Sequence, residues 1–268
     1  MNNWRKYNGS LIPLTPPHIE VDVTGIEKKI QEEDAYFARW TSNFDQKDIS
    51  EFWYVICDNK LELTDYSRNT RSKIRRGLKQ CEVKMITKDI LQENGYDCYS
   101  SAFSKYNTHL SPKIITQFQE EINSFDDSWD FWGIYHEDIL IGYSQNKIID
   151  DYCDYSTIKF HPDYLRCYPS YSLFFTMNQY YLNEKNFKYI NDGARSISHE
   201  TNIQTFLIDK FRFRKAYCKL DIIYSPKIKL LLCLLYPFRL IVGSLKFGLF
   251  IKLNILLKQE KIRRSYER

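Results

Sequence analysis

Residues 192–202 read Asp-Gly-Ala-Arg-Ser-Ile-Ser-His-Glu-Thr-Asn. Asp192, His199 and Glu200 can each exchange a proton, so this run could supply a general acid or base. His199 is the first candidate by chemistry, with Glu200 and Asp192 next. Arg195 offers a planar fork that suits a phosphate or carboxylate, and equally an internal salt bridge. The same run also reads as a helix start. Thr201 or Asn202 would cap it, and Glu200 would sit at the positive end of the helix.

A second cluster is purely cationic. Arg71, Lys73, Arg75, Arg76 and Lys79 fall within nine residues. Their density suits contact with phosphates, or else a solvated helix face. The tyrosines at 152, 155, 164, 168, 171, 180 and 181 are expected to pack rather than to stack nucleobases, and no RNA-binding motif accompanies them. The seven cysteines show no CxxC spacing, and the five histidines lie far apart, so no metal site is predicted. With no signal-peptide pattern at the start, reduced thiols in the cytoplasm are expected, with Cys153, Cys167 and Cys218 as apolar filling.

The net charge of +4 conceals an asymmetry. From Pro226 onward ten Lys or Arg face two Glu, leaving the tail at +8 and the rest at −4. Between Ile228 and Leu257, 21 of 30 residues are apolar, but the longest uncharged run is Leu230–Phe238, interrupted by Pro237. A bilayer span needs about 20 predominantly apolar residues. Basic residues spaced through Leu- and Phe-rich helices describe a segment lying on an anionic membrane surface. The competing reading packs these helices on the protein's own core or on a second subunit.

These groups need positioning elements. The 43% hydrophobic content, low Gly and Pro, and absence of low-complexity tracts exclude a disordered, collagenous or disulfide-scaffold protein. Met1–Pro17 is read as a loop or arm, and Ile26–Trp40 places apolar residues near helical spacing. Phe52–Cys57 reads as a buried strand, 71–79 as a basic helix and 81–86 as a strand. Two helices follow over 88–107 and 111–124. Three strands come in series, 129–136, 139–149 and 152–160, the first two joined by a Glu137-Asp138 turn. Helix 170–185, strand 187–191, helix 201–210 and strand 213–224 complete the body. Hairpins followed by alternating strand and helix predict an α/β (α+β) fold: a mixed sheet flanked by helices, with a C-terminal helical tail.

On these elements a resemblance appears. Asn202-Ile-Gln-Thr-Phe-Leu-Ile-Asp-Lys-Phe-Arg-Phe-Arg-Lys-Ala216 resembles the last helix and strand of GNAT acyltransferases. Trp132-Gly-Ile-Tyr-His-Glu-Asp-Ile-Leu-Ile-Gly-Tyr143 looks like their central hairpin. Ile158-Lys-Phe-His-Pro-Asp-Tyr-Leu-Arg166 looks like the strand leading to their acyl-CoA pyrophosphate loop. Arg71–Lys79 followed by Val83 is similar to a passage in Fem-type peptidoglycan aminoacyltransferases, in which two GNAT-like halves form one molecule.

The resemblance implies an N-terminal GNAT-like half over 1–125, an acyltransferase half over 126–225, and a basic amphipathic tail over 226–268. It implies acyl-CoA, such as acetyl-CoA, as donor, with aminoacyl-tRNA as the alternative and no other nucleic acid. The acceptor would be an amine or hydroxyl of a small-molecule or lipid-linked cell-envelope or polysaccharide precursor. Arg166, Ser170, Tyr171, Arg195 and Asn202 would border the donor, with His199, Glu200 and Asp192 at the chemistry. Two departures stand out. Pro169 and Tyr171 lie where the phosphate loop usually carries glycines, and Ile208 occupies the position of a general-acid tyrosine. Both also fit a GNAT-like binding module without catalysis at the membrane.

Overall fold

The computed structural model describes residues 4–106, 111–197, 202–244 and 249–266. In chain order the elements are β1 (Trp4–Tyr7), β2 (Ser10–Pro13), α1 (Ile26–Glu32), β3 (Phe37–Gln46), β4 (Phe52–Cys57), α2 (Arg68–Gln80) and β5 (Glu82–Ile86). Then come α3 (Lys88–Phe103), α4 (Ile115–Asn123), β6 (Trp129–His136), β7 (Ile139–Ile149) and β8 (Tyr152–Phe160). The chain ends with α5 (Pro169–Asn178), β9 (Tyr189–Ala194), α6 (Asn202–Phe211), β10 (Arg214–Tyr224), α7 (Pro226–Leu235), α8 (Arg239–Ser244) and α9 (Leu249–Ser265).

The chain folds into two compact units that are discontinuous in sequence. One comprises residues 1–54, 194–201 and 215–268, the other 55–193 and 202–214. The sequence positions 125/126 and 225/226 both fall inside a unit, because β4, β9 and β10 carry the chain from one to the other.

In the first unit β1 and β2 form a hairpin, β2 runs parallel to β3, and β3 pairs antiparallel with β10. The arm expected at the N-terminus is therefore a hairpin. Asn8 and Gly9 both take positive φ (49° and 76°), the twist that a two-residue hairpin turn requires. The helix expected over 26–40 stops at Glu32. Asp34 turns left-handed (φ 46°), and the aromatic run that follows becomes β3. Trp4, Leu11, Ile26, Ile30, Ala35 and Ala38 form the core there. The expected helical tail makes three helices. α7, α8 and α9 share a core of Leu232, Val242 and Leu257, and Ile262 of α9 packs with Phe52, Cys218 and Leu220.

In the second unit β5, β6, β7 and β8 are successively antiparallel, and β8 pairs parallel with β9. The strands over 129–160 lie where the sequence reading puts them, with Glu137 and Asp138 both at positive φ in the turn. Helices cover both faces, as a mixed sheet buried on two sides demands. Phe131 and Tyr143 point to α3 and α4, joining Leu91, Tyr99, Phe118 and Ile122. Trp132 and Asn146, on the opposite pleat, point to Tyr181, which lies on the π-helical turn that continues α5. Among the described cysteines Cys57, Cys81, Cys98, Cys153 and Cys218 are buried and Cys167 half-buried, all as free thiols.

Candidate functional site: the opening between β8 and β9

The parallel pair β8–β9 holds for three residues only: Tyr152 with Tyr189, Cys153 with Ile190, and Asp154 with Asn191. Immediately beyond, β8 bulges. Gln145 of β7 faces Thr157 and Asn146 faces Tyr155, so Ser156 is the extra residue. A bulge bends and twists its strand. Here it coincides with the end of the β8–β9 pairing, and the strands part after Asp154 and Asn191. Ligands of α/β sheets gather where neighbouring strands part at their carboxyl ends.

Three side chains shape this opening. Asn191, fully buried, donates from Nδ2 to Asp154 Oδ1 (3.0 Å) and accepts the Gly193 N–H at Oδ1 (2.9 Å). Gly193 adopts φ 93°, a conformation that side-chain-bearing residues rarely take, and thereby ends the strand. Between them lies Asp192, half-buried, with no hydrogen-bond partner among the described residues. Burial, with the like charge of Asp154, pushes its carboxyl up to about 8. A carboxyl with that proton affinity can accept or hold a proton at neutral pH. The strand expected to end at Asn191 runs on to Ala194, so Asp192 is a strand residue, which is what places it against Asp154.

Below the opening lies a buried polar chain. Tyr181 Oη accepts from Trp132 Nε1 (2.9 Å) and Asn146 Nδ2 (3.3 Å) and donates to Asp130 Oδ2 (2.9 Å). Tyr155 Oη donates to Asn178 Oδ1 (2.9 Å). The bonds to Tyr181 tie β6, β7 and the helical turn into one register. These tyrosines are framework, as the sequence suggested.

The start of α5 was the expected phosphate cradle. Tyr168 takes φ 58°, and Pro169 follows as the first helical residue, where its missing N–H costs nothing. The N–H groups of Tyr171 and Ser172 both return to the Tyr168 carbonyl (3.1 and 3.3 Å), so they are not open to a ligand. Helix α2 also covers this end. A Cβ on Gly77 would stand 2.7 Å from the Tyr168 carbonyl oxygen and 3.2 Å from the Ser172 nitrogen. Lys73 Nζ reaches Tyr171 Oη (3.4 Å) and lies over its ring, and Arg76 lies over the Tyr168 ring. The outer face of α2 forms an open groove of about 510 Å³ lined by Arg68, Arg71, Ser72, Arg75, Arg76 and Lys79. The helix contains six cations and no carboxylate.

The fold recurs in solved structures. FemX superposes with a TM-score of 0.59 over 86% of this chain and 85% of its own, at 9% identity. The C-terminal DUF2156 domain of a putative lysylphosphatidylglycerol synthetase from Agrobacterium fabrum superposes at 0.53 over 86% and 82%, at 11% identity. The chain has a GNAT-like fold, similar to that of FemX. At these identities the likeness is one of fold. No protein-family model matches the chain, and no curated protein matches it by sequence.

Within the GNAT fold the expected site residues separate. Asp192 lies at the opening, and Gln204 of α6 donates to the Gly193 carbonyl (3.5 Å). Asn202 opens α6 and is exposed, and Arg166 is exposed in the turn before α5. Ser170 is half-buried and Tyr171 buried under Lys73. Arg195 is engaged by its own unit: it donates to the Glu51 carbonyl, approaches the Glu51 carboxylate at 3.9 Å and covers the Trp53 ring at 4.6 Å. His199 and Glu200 lie outside the described residues. Sequence reading missed Asp154 and Asn191, since a parallel register leaves no local signal. It also missed the role of Gly77, whose only hint was a glycine inside a helical pattern. Among the described residues no group of three or more His, Cys, Asp or Glu is arranged to hold a metal.

Proposed function

We propose that the protein is an acyl- or aminoacyltransferase that acts on an amine or hydroxyl of a cell-envelope or polysaccharide precursor. The reading rests on Asp192: a carboxyl titrating near neutrality at the strand opening of a GNAT fold. Ionised Asp192 takes the proton from the attacking nitrogen or oxygen, and the new bond forms at the donor carbonyl. The thiol or hydroxyl of the donor departs and takes up a proton. His199 and Glu200, a few residues further on, remain candidates for the same role. In this reading residues 126–225 carry the transfer and residues 1–125 supply the second GNAT-like half.

The donor's phosphates would lie on the cationic face of α2, with acyl-CoA, such as acetyl-CoA, as donor. One observation favours aminoacyl-tRNA instead. From Arg68 to Lys79 the cations extend about 16 Å along the helix, longer than one pyrophosphate needs. Thermal-shift titration separates the readings. A donor at a hundred times its Kd adds about 2.7 kcal/mol to stability. A response to acetyl-CoA, or only to aminoacyl-tRNA, identifies the donor. Silence with both leaves a GNAT-like binding module and ends the enzyme reading.

The acceptor is assigned as small or lipid-linked, in keeping with the lipid named for the DUF2156 neighbour. The tail supports a peripheral location on an anionic membrane at its cytoplasmic side. Leu230 and Leu234, one turn apart on α7, are 63% and 62% exposed, and Phe238, Leu240 and Ile241 continue the apolar surface. Exposed Lys227 and Lys229 stand beside it. No described helix is long and apolar enough to cross a membrane. Co-sedimentation with anionic vesicles should retain the wild type and release Leu234→Ser/Leu240→Ser. Equal sedimentation of both removes the tail from the membrane.

A further inference from the structure

The turn that ends β9 is closed by a side chain, and the same side chain ties β9 to β8. Asparagine is depleted in strands and mostly exposed in folded proteins. Asn191, within β9, is only 2% exposed. Its Oδ1 accepts the Gly193 N–H at 2.9 Å, so the amide closes a ring around the backbone of Asp192. Asparagine forms such turns because its side chain mimics a peptide group. Gly193 supplies the positive φ of 93° with which the chain leaves the strand. A Cβ there would meet nothing within 4 Å, so backbone conformation rather than crowding asks for glycine. Gln204 of α6 holds the carbonyl of the same residue (3.5 Å).

The other end of the Asn191 amide reaches across the strand pair. Nδ2 donates to Asp154 Oδ1 at 3.0 Å. Asp154 and Asn191 are the last residues in register before β8 and β9 part. One buried side chain therefore fixes both carboxylates that frame the opening, Asp192 through the turn and Asp154 through its oxygen. An N–H donated to a carboxylate favours the charged form. Among the described residues, Asp154 is the titratable group whose charge bears on Asp192.

We propose that Asn191 is a positioning residue for the transfer: it orients Asp192 by closing the turn around it, and governs its protonation by holding the Asp154 carboxylate in place. The inference rests on the reading of Asp192 as the base.

Asn191→Ser separates the two bonds. A serine hydroxyl can still accept the Gly193 N–H, more weakly, and is too short to reach Asp154. NMR of the side-chain carboxyl carbons in the full-length protein follows Asp192, assigned by its absence from Asp192→Asn, and needs no turnover. Asn191→Ser should lower the Asp192 midpoint by about one pH unit. Asp154→Asn keeps an acceptor for Asn191 but removes the charge, and should lower the midpoint as far. Combining the two should lower it no further, because both act through one carboxylate. Should Asn191→Ser melt early, the wild type decides. Its Asn191 side-chain N–H groups should exchange slowly with water, and their resonance should follow the Asp192 titration. An unchanged midpoint in folded Asn191→Ser overturns the proposal and leaves Asp192 as the base. So do additive shifts in the double variant, or rapid exchange of the Asn191 amide in the folded wild type. The transferase reading fails separately, by silence towards both donors, which these shifts do not measure.

Discussion

Asp192 and Glu260 are both carboxylates removed from water, and their proton affinities move in opposite directions. Glu260, 3% exposed in α9, receives Arg263 (2.9 Å), Arg264 (2.6 Å) and the Tyr224 hydroxyl (3.0 Å). Burial alone would raise its pKa, yet these bonds hold it below the ordinary glutamate value. Asp192 is pushed up by burial and by the like charge of Asp154, and its carboxylate has no hydrogen-bond partner among the described residues. A buried charge that is fully hydrogen-bonded serves as structure, whereas one left without partners is poised to change protonation state. The difference lies in the neighbours rather than in the depth of burial.

The comparison breaks most visibly at Asp192. Asp192→Asn should lower the transfer rate by about 10²–10⁴-fold, the usual contribution of a positioned base. Donor-thiol release measures it, and an unchanged rate moves the base to another residue. The mirror experiment is Glu260→Gln. It leaves two guanidinium groups without their anion and should cost about 3 kcal/mol in urea denaturation. A loss near zero would mean that the triad is surface decoration.

Stability against pH then sharpens the contrast. Native Asp192 binds its proton more tightly than the unfolded chain does, so its contribution is full below its ordinary value of 3.8. That contribution is lost as pH rises to about 8. Glu260 runs the other way: its contribution is present above its ordinary value of 4.5 and disappears as pH falls through the depressed native value. Denaturant midpoints across this range should therefore decline toward pH 8 in the wild type. In Asp192→Asn that decline should shrink by on the order of 1–3 kcal/mol.

The smallest effect on the fold is expected at α2, whose cations are exposed and repel one another. Arg75→Ala/Lys79→Ala should leave stability within about 0.5 kcal/mol. The same change should weaken donor binding by about tenfold, more at low salt than at high salt. Equal binding before and after would show that the cationic face only keeps the helix solvated.

Much of the second unit was legible in the chain because its information is local. Short aromatic and β-branched runs mark β6, β7 and β8, and Glu137-Asp138 marks the turn between the first two. The basic face of α2 follows likewise from helical spacing. The Asn8-Gly9 turn was just as local, and its hairpin could have been found from that pair alone. The aromatic run after Asp34 could not be assigned in the same way, because a short apolar run fits either a helix or a buried strand.

The chemistry of the candidate site belongs to the other class. Asp192 and Asp154 lie 38 positions apart, and only the short parallel pairing of β8 with β9 brings their charges together. The sequence names Gly77 but not the Tyr168 carbonyl against which it packs. Composition and spacing determine which groups a chain possesses and which local shapes it prefers. Proton affinity and binding depend on what surrounds each group in three dimensions, and that is settled only when distant segments pack and exclude water.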